Sequence, residues 1–194
     1  PGKEDMFRFL EDIVREVVPL FPGKYFHIGG DECPKTSWKN CPTCQKRIEA
    51  EGLQADGKHS AEERLQSYVI KRMEKMLAKY GRKIIGWDEI LEGGLSPEAT
   101  VMSWRGTSGG ISAALQKHDV IMTPGSGGLY LDHYQGDYKI EPVTIPSAPA
   151  YLSRTYNYEP VPDTIKSLGL EKHILGVQGN NWSEYMYTNA KMEY

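Results

Sequence analysis

Apolar residues recur at helical spacing near the start of the chain. Phe7, Leu10, Val14 and Val17 fall on one face of residues 4–18, the period of an amphipathic helix. Pro19 and Pro22 stop that helix. Residues 25–28 read as a short strand cut off by Gly29-Gly30, and residues 33–60, rich in Pro, Lys, Gly and Cys, read as loop. Residues 61–80 predict a long amphipathic helix closed by Gly81. The pattern then shortens, with strands over 82–87 and 100–104, a helix over 109–118 and a strand over 119–123. A long Gly- and Pro-rich stretch precedes the last strand, residues 173–178. There is no fixed short repeat and no low-complexity segment.

Strands alternating with helices predict an α/β protein with a parallel sheet. Polar and aromatic residues collect where each strand ends: Asp31-Glu32, Trp87-Asp88-Glu89, Ser103-Trp104-Arg105, Tyr130-Leu131-Asp132 and Asn181-Trp182-Ser183-Glu184. Chemistry after the C-terminal ends of successive parallel strands is the habit of the (β/α)8 TIM barrel, which takes about 250 residues. The 194 residues hold five strands and open on a helix with no strand before it. The expectation is a single truncated barrel domain over 1–194, comprising about strands 4 to 8, with the first strands missing.

Composition narrows the function classes. The chain is 39% hydrophobic and 25% charged, ordinary for a globular domain. A net charge of −3 supplies no basic field, so nucleic acid is not an expected partner. No apolar run approaches the roughly 18 residues of a membrane span. Pro1 opens directly on a polar, helix-like stretch, so the chain reads as cut from something longer and its compartment is not legible from its N-terminus. Three cysteines occur, Cys33, Cys41 and Cys44. Cys41-Pro-Thr-Cys44 has the spacing of half a zinc or redox site. A second ligand pair is missing, so a loop staple or free thiols are expected rather than metal.

Asp31-Glu32 is the strongest chemical signal. Gly29-Gly30 lets backbone adopt unusual angles or approach a ligand closely. Adjacent carboxylates repel, which separates their ionisations and suits one proton donor and one permanent anion. A bare Asp-Glu is more often a solvated pair; the strand, the glycines and four further strand-end clusters reverse that preference. Two direct carboxylates in a retaining glycosidase stand about 5–5.5 Å apart across the scissile bond. Neighbours on extended chain point to opposite sides, so this pair suits a substrate that supplies its own nucleophile.

Trp87, Trp104 and Trp182 sit at equivalent strand ends. Each alone is as well explained as core, but together they suggest an aromatic pocket for a sugar face or an acetyl group. Tyr130 and Asp132, like Trp182 and Glu184, are two apart and would share a face on extended chain. Each pair offers a flat or hydroxyl-bearing surface and an acceptor. Asn181-Trp182-Ser183 matches the glycosylation pattern, but sugar attached inside a pocket would block it. Gly106-Thr107-Ser108-Gly109-Gly110 fits no phosphate-loop pattern and reads as a helix start with Ser or Thr capping. His-Glu-x-x-His is absent.

At these residues the chain resembles a known family. His27-Ile28-Gly29-Gly30-Asp31-Glu32 is similar to the His-x-Gly-Gly-Asp-Glu motif of the family 20 glycoside hydrolases, the β-N-acetylhexosaminidases. The likeness extends through Gly86-Trp87-Asp88-Glu89-Ile90-Leu91, Met102-Ser103-Trp104-Arg105-Gly106, Tyr130-Leu131-Asp132 and Gly179-Asn180-Asn181-Trp182-Ser183-Glu184, in the family's order. It implies Glu32 as general acid and then base, and Asp31 as the group that orients the 2-acetamido group and stabilises its developing positive charge. It implies Tyr130 as a hydrogen-bond donor to the acetamido oxygen and Trp87, Trp104 and Trp182 as pocket walls. Asp132 and Glu184 would bind sugar hydroxyls. The implied reaction is exo-hydrolysis of terminal β-linked GlcNAc or GalNAc through an oxazolinium ion, with retention and no cofactor or metal. This family is a recognised exception to the two-carboxylate rule. N-acetylhexosamine-containing glycans are the implied partners, and a periplasmic, secreted or lysosome-like compartment is expected of the parent protein.

The departure is truncation. No residue matches the family's arginine on strand one, and no helix is expected after the last strand, which leaves activity of the isolated chain in question. The competing readings are a carbohydrate-binding module without catalysis and a fragment that self-associates through exposed barrel edges. A metal hydrolase ranks behind both.

Overall fold

The computed structural model describes residues 1–193, so Tyr194 lies outside the described residues. Five strands form one sheet whose order follows the chain: β1 (Tyr25–His27), β2 (Lys83–Trp87), β3 (Thr100–Ser103), β4 (Val120–Met122) and β5 (Ile174–Val177). The β1–β2 and β4–β5 pairs are parallel. Among the described residues, eight α-helices accompany them: α1 (Glu4–Val17), α2 (Thr36–Lys39), α3 (Pro42–Ala50), α4 (Ala61–Ala78), α5 (Ser108–Leu115), α6 (Leu152–Tyr156), α7 (Asp163–Ser167) and α8 (Asn189–Glu193). Chain-ordered parallel strands with helical connections are the architecture of a (β/α)-barrel segment. One connection departs from it: β2 reaches β3 through a 3-10 turn, Asp88–Leu91, and a loop. None of the described helices is long and apolar enough to cross a membrane.

Two compact units divide the chain, residues 1–101 and 102–194. In the first, α1 buries Phe7 and Val14, two of its four predicted stripe positions. Phe7 meets the Tyr68 ring edge-on at 5.9 Å, and the Arg72 guanidinium lies 4.0 Å from the Phe7 ring centre. Glu4 binds both Arg72 and Arg47. The side chain at the start of α1 is thereby tied to α3 and α4. Helix α4 buries Leu65, Ile70, Met76 and Leu77, while β2 buries Ile84 and Ile85.

Residues 33–60 are not simply loop. They contain α2 and α3, and Pro42 opens α3 at the position where a missing N–H costs nothing. Cys41 and Pro42, which suggested loop, are helix-start residues. Cys44 and Ile48 of α3 pack with Leu65 in a small core joined by Trp38 and Leu53.

The second unit buries Met102, Ala113, Ala114, Val120, Met122, Leu129 and Ile165. Between β4 and β5 the register slips. Val120 pairs with Ile174, whereas Ile121 pairs with Gly176. The Thr or Ser cap expected for α5 also takes another form. Thr107 occupies the cap position without a side-chain bond. Ser103, at the end of β3, accepts the Gly110 N–H at 2.9 Å and donates to the Gly106 carbonyl at 2.7 Å. A hydroxyl seven residues upstream therefore does the capping. A helix does follow β5, contrary to expectation, although α8 is only five residues long.

Helix α4 begins with a reciprocal cap. Ser60 Oγ accepts the Glu63 N–H, and the Glu63 carboxylate accepts the Ser60 N–H at 2.6 Å. That backbone bond is the chief cause of the lowered Glu63 pKa, acting against desolvation. A carboxylate with a depressed folded pKa stabilises the fold above its ordinary value, here 4.5, and the contribution is lost as the pH falls through the folded value. We therefore expect Ser60→Ala to cost about 1 kcal/mol in urea unfolding at neutral pH. Glu63→Gln should flatten the acid limb of the stability–pH curve; an unchanged limb would remove Glu63 as its source.

Candidate active site

The first unit carries the Asp-Glu pair on a turn held from two sides. Strand β1 pairs Tyr25 to His27 with Lys83 to Ile85, and the Ile28 N–H donates to the Ile85 carbonyl at 2.9 Å. The ladder then breaks because Gly29 and Gly30 take φ of +72° and +101°, angles that glycine reaches without steric cost. The Trp87 N–H donates to the Gly29 carbonyl at 3.0 Å. Gln66 of α4 donates its Nε2 to the Gly30 carbonyl at 2.9 Å. A Cβ on Gly30 would lie 2.6 Å from Ile90 Cγ2, so a side chain there would force the turn off its support.

Asp31 and Glu32 emerge exposed from this turn. Glu32 has φ +43°, a left-handed conformation that is costly for a residue with a side chain and is often found at functional sites. The extended geometry expected for the pair does not hold at Glu32, so strand alternation is not what separates the two carboxylates.

His27 and Trp87 flank the turn, with ring centres 4.7 Å apart at an angle of 59°. His27 Nδ1 accepts the Gly29 N–H at 3.1 Å, which requires that nitrogen to be unprotonated. Desolvation lowers the His27 pKa, while Asp31 pulls it upward. The imidazole thus fits its neutral form, although part of the residue remains in contact with solvent. Trp87 itself is half-buried. Asp88 and Glu89, which follow it, are buried in the 3-10 turn. Lys35 Nζ bonds the Cys33 carbonyl at 3.1 Å and Glu92 at 2.7 Å, fastening the far side of the loop.

The second unit holds the remaining predicted residues. Trp104 is half-buried just after β3. Tyr130 forms an isolated parallel bridge with Asn180. The Leu131 N–H donates to the Asn180 carbonyl, and the Asn180 N–H to the Leu129 carbonyl, both at 2.7 Å. The Tyr130 loop therefore runs beside the loop that begins Asn181-Trp182. Tyr130 meets His133 edge-on at 5.1 Å. His133 Nδ1 faces the Ser147 and Ala148 carbonyls, consistent with its donating a proton there.

Leu131 is exposed between half-buried Tyr130 and buried Asp132, but the His133 N–H donates to the Tyr130 carbonyl at 3.1 Å, so these residues form a turn and the shared face expected of extended chain does not hold. Asp132 Oδ1 is buried without a hydrogen-bond partner. Such an oxygen is an acceptor available to an incoming hydroxyl. Asp132 and Asn181 line a cleft of about 330 Å³ with His133, Gln135, Glu141 and Lys191 among its walls. Tyr130, Trp182 and Glu184 lie outside that lining. Trp182 is 43% exposed and Glu184 is also exposed, so their i, i+2 relation gives no buried face.

The supporting role of Gln66 and the capping role of Ser103, which the sequence places only in a strand-end cluster, escaped notice. Gln66 had a signal: it is a polar residue in the stripe Gln66, Ile70, Met73, Leu77 at helical spacing. Ser103 had none, since its role depends on a turn seven residues long. No group of three or more His, Cys, Asp or Glu among the described residues is arranged to hold a metal.

Comparison with known proteins places this arrangement. The model of the glycosyl hydrolase family 20 catalytic domain matches residues 1–194. A beta-hexosaminidase of Porphyromonas gingivalis is 58% identical over 195 residues, covering 100% of this chain and 24% of that protein. A beta-hexosaminidase of Vibrio furnissii is 34% identical, covering 100% of this chain and 31% of that one. Among solved structures, the family 20 exo-β-N-acetylglucosaminidase of Vibrio harveyi in complex with N-acetylglucosamine superposes with a TM-score of 0.86 at 30% identity. It covers the whole chain and 29% of its own. The chain thus spans about a quarter to a third of these relatives. Its chain-ordered sheet is that of a partial TIM barrel, and the chain belongs to glycosyl hydrolase family 20, within the catalytic domain.

Proposed function

We propose that the protein carrying this chain is a β-N-acetylhexosaminidase that removes terminal β-linked GlcNAc or GalNAc with net retention, the substrate's acetamido group acting as nucleophile. The observation that carries the reading is the clamped Gly29-Gly30 turn delivering an exposed Asp31-Glu32 pair in a family 20 chain. The bound N-acetylglucosamine named for the Vibrio harveyi relative supports the sugar class.

In this reading Glu32 protonates the glycosidic oxygen as the acetamido oxygen attacks the anomeric carbon. The leaving alcohol departs and an oxazolinium ion forms. Asp31 accepts a hydrogen bond from the acetamide N–H, turns its oxygen toward the anomeric centre and stabilises the positive charge. Tyr130 donates to that same oxygen and holds its direction. Glu32, now a carboxylate, takes a proton from water, which opens the ion from the face the leaving group vacated. Two inversions give retention. Trp87, Trp104 and Trp182 offer flat apolar surface to the acetamido methyl and the ring, and Asp132 and Glu184 accept sugar hydroxyls. The unpartnered buried Asp132 Oδ1 supports its part of this assignment.

In the intact protein, Glu32→Gln should lower kcat/KM on aryl N-acetylglucosaminides by about 10²–10⁴-fold, with the larger losses on poorer leaving groups. Undiminished hydrolysis would remove Glu32 as the acid. Asp31→Asn should lose about 10²–10³-fold, mostly in kcat, because its charge matters as positive charge develops.

A second part of the proposal concerns the isolated chain. Strand β5 ends the sheet order, and Leu175 and Val177 on it are 46% and 50% exposed. Apolar edge residues invite pairing with another copy. Sedimentation of the isolated chain should show weight-average mass rising with concentration; a monomer throughout would refute self-association.

A further inference from the structure

Beyond the glycosidase chemistry, the first unit carries a pair of sulfurs that the proposed reaction does not use. Cys41 caps α3 and Cys44 sits one turn inside it, with Pro42 and Thr43 between them. The two Sγ atoms are 2.8 Å apart, and both cysteines are free thiols. That separation lies between a disulfide bond of about 2.05 Å and ordinary contact between unbonded sulfurs. Cys41 stands at the helix cap with extended backbone, φ −90° and ψ 110°, which brings its sulfur over the first turn, and the remaining approach to bonding distance is under about 1 Å.

The two positions are chemically unequal. Cys41 is partly exposed, whereas Cys44 is 3% exposed in the small core with Ile48 and Leu65. Cys41 Sγ accepts from the Cys44 thiol, lies 3.2 Å from Thr43 Oγ1 and accepts the Cys44 N–H at 3.4 Å. The Cys44 thiol bond first, then Thr43 and the Cys44 N–H, bring the Cys41 thiol down to about 7. Burial, followed by the bond to Cys41, raises the pKa of Cys44. An accessible sulfur with thiolate character beside a buried one is the arrangement of an attacking and a resolving cysteine. Among the described residues no third ligand completes a metal group with them.

We propose that Cys41 and Cys44 are a reversible redox site that closes to an intramolecular disulfide by exchange with small-molecule disulfides. The Cys41 thiolate attacks one sulfur of the disulfide, the S–S bond breaks and one thiolate leaves, taking a proton from water. Cys44 then loses its proton, and its sulfur attacks Cys41 Sγ, expelling the second thiol. Two protein thiols are oxidised and one small disulfide is reduced to two thiols. Cys33 takes no part. The site lies in the segment that follows Asp31-Glu32, so it would place a redox-sensitive staple between that loop and α4 without contributing a group to the sugar chemistry.

The test equilibrates the intact protein in glutathione buffers of graded ratio, quenches with acid, tags free thiols with a maleimide and maps the peptides by mass. Cys41 and Cys44 should lose their tags together as oxidised glutathione increases, while Cys33 keeps its tag. Cys41→Ser should leave Cys44 tagged at every ratio. Cys44→Ser should trap a glutathione adduct on Cys41, and since Cys44 is buried, Cys44→Ala provides the same readout should serine disturb the core. Iodoacetamide should alkylate Cys41 with a midpoint near pH 7 and Cys44 at least tenfold more slowly. Persistence of both tags in fully oxidised buffer, a disulfide involving Cys33, or stoichiometric zinc binding that shields both thiols would each overturn the proposal.

Discussion

The constraint on which the first unit's chemistry depends is the clamp on the Gly29-Gly30 turn. The Trp87 N–H holds one carbonyl and Gln66 holds the next. Ile90 fills the space where a Gly30 side chain would go. Glycine is needed because the backbone must turn left-handed just as the strand ends, and the turn survives because two elements with their own cores grip it. The buried stripe of α4 supplies the Gln66 grip, and β2, with Ile84 and Ile85 buried, supplies the other. The unusual φ of Glu32 is tolerable only on such a support. Asp31 and Glu32 therefore stay exposed while the turn beneath them is held fast.

Much of this was legible in the amino-acid order. The apolar period located α1 and α4, and short apolar runs located all five strands within a residue or two. The strand-end clusters pointed to the barrel class because they repeat a spatial rule, and the comparisons confirm that class. The site's polar supports were less legible. Gln66 looks like any helix residue until its neighbours at helical spacing prove apolar. Ser103 caps α5 across a turn, so no local motif encodes it. Helices α2 and α3 were hidden because Pro and Cys serve both loops and helix starts. The extended Asp-Glu geometry failed for a related reason. The influence of Gly29-Gly30 reaches past the glycines to Glu32, which a strand-period argument does not see.

The second unit follows another logic. Its Tyr130 and Asn180 loops are joined by two 2.7 Å backbone bonds rather than by regular strands. The buried Asp132 oxygen without a partner stands beside an open cleft, a cost that bound hydroxyl would relieve. The first unit thus invests in rigidity beneath an exposed carboxylate pair, and the second in an unmet acceptor.

The central claim is that the nucleophile belongs to the substrate, with Asp31 and Glu32 serving it. The most direct measurement is kcat/KM of the intact protein on aryl N-acetylglucosaminides whose acetyl group carries zero, one, two and three fluorines. Fluorine withdraws electrons from the acetamide oxygen and weakens its attack while leaving the leaving group unchanged. The account predicts a steep, continuous fall in rate across the series. A flat series would contradict it, because a carboxylate nucleophile would be indifferent to the acetyl group's electrons.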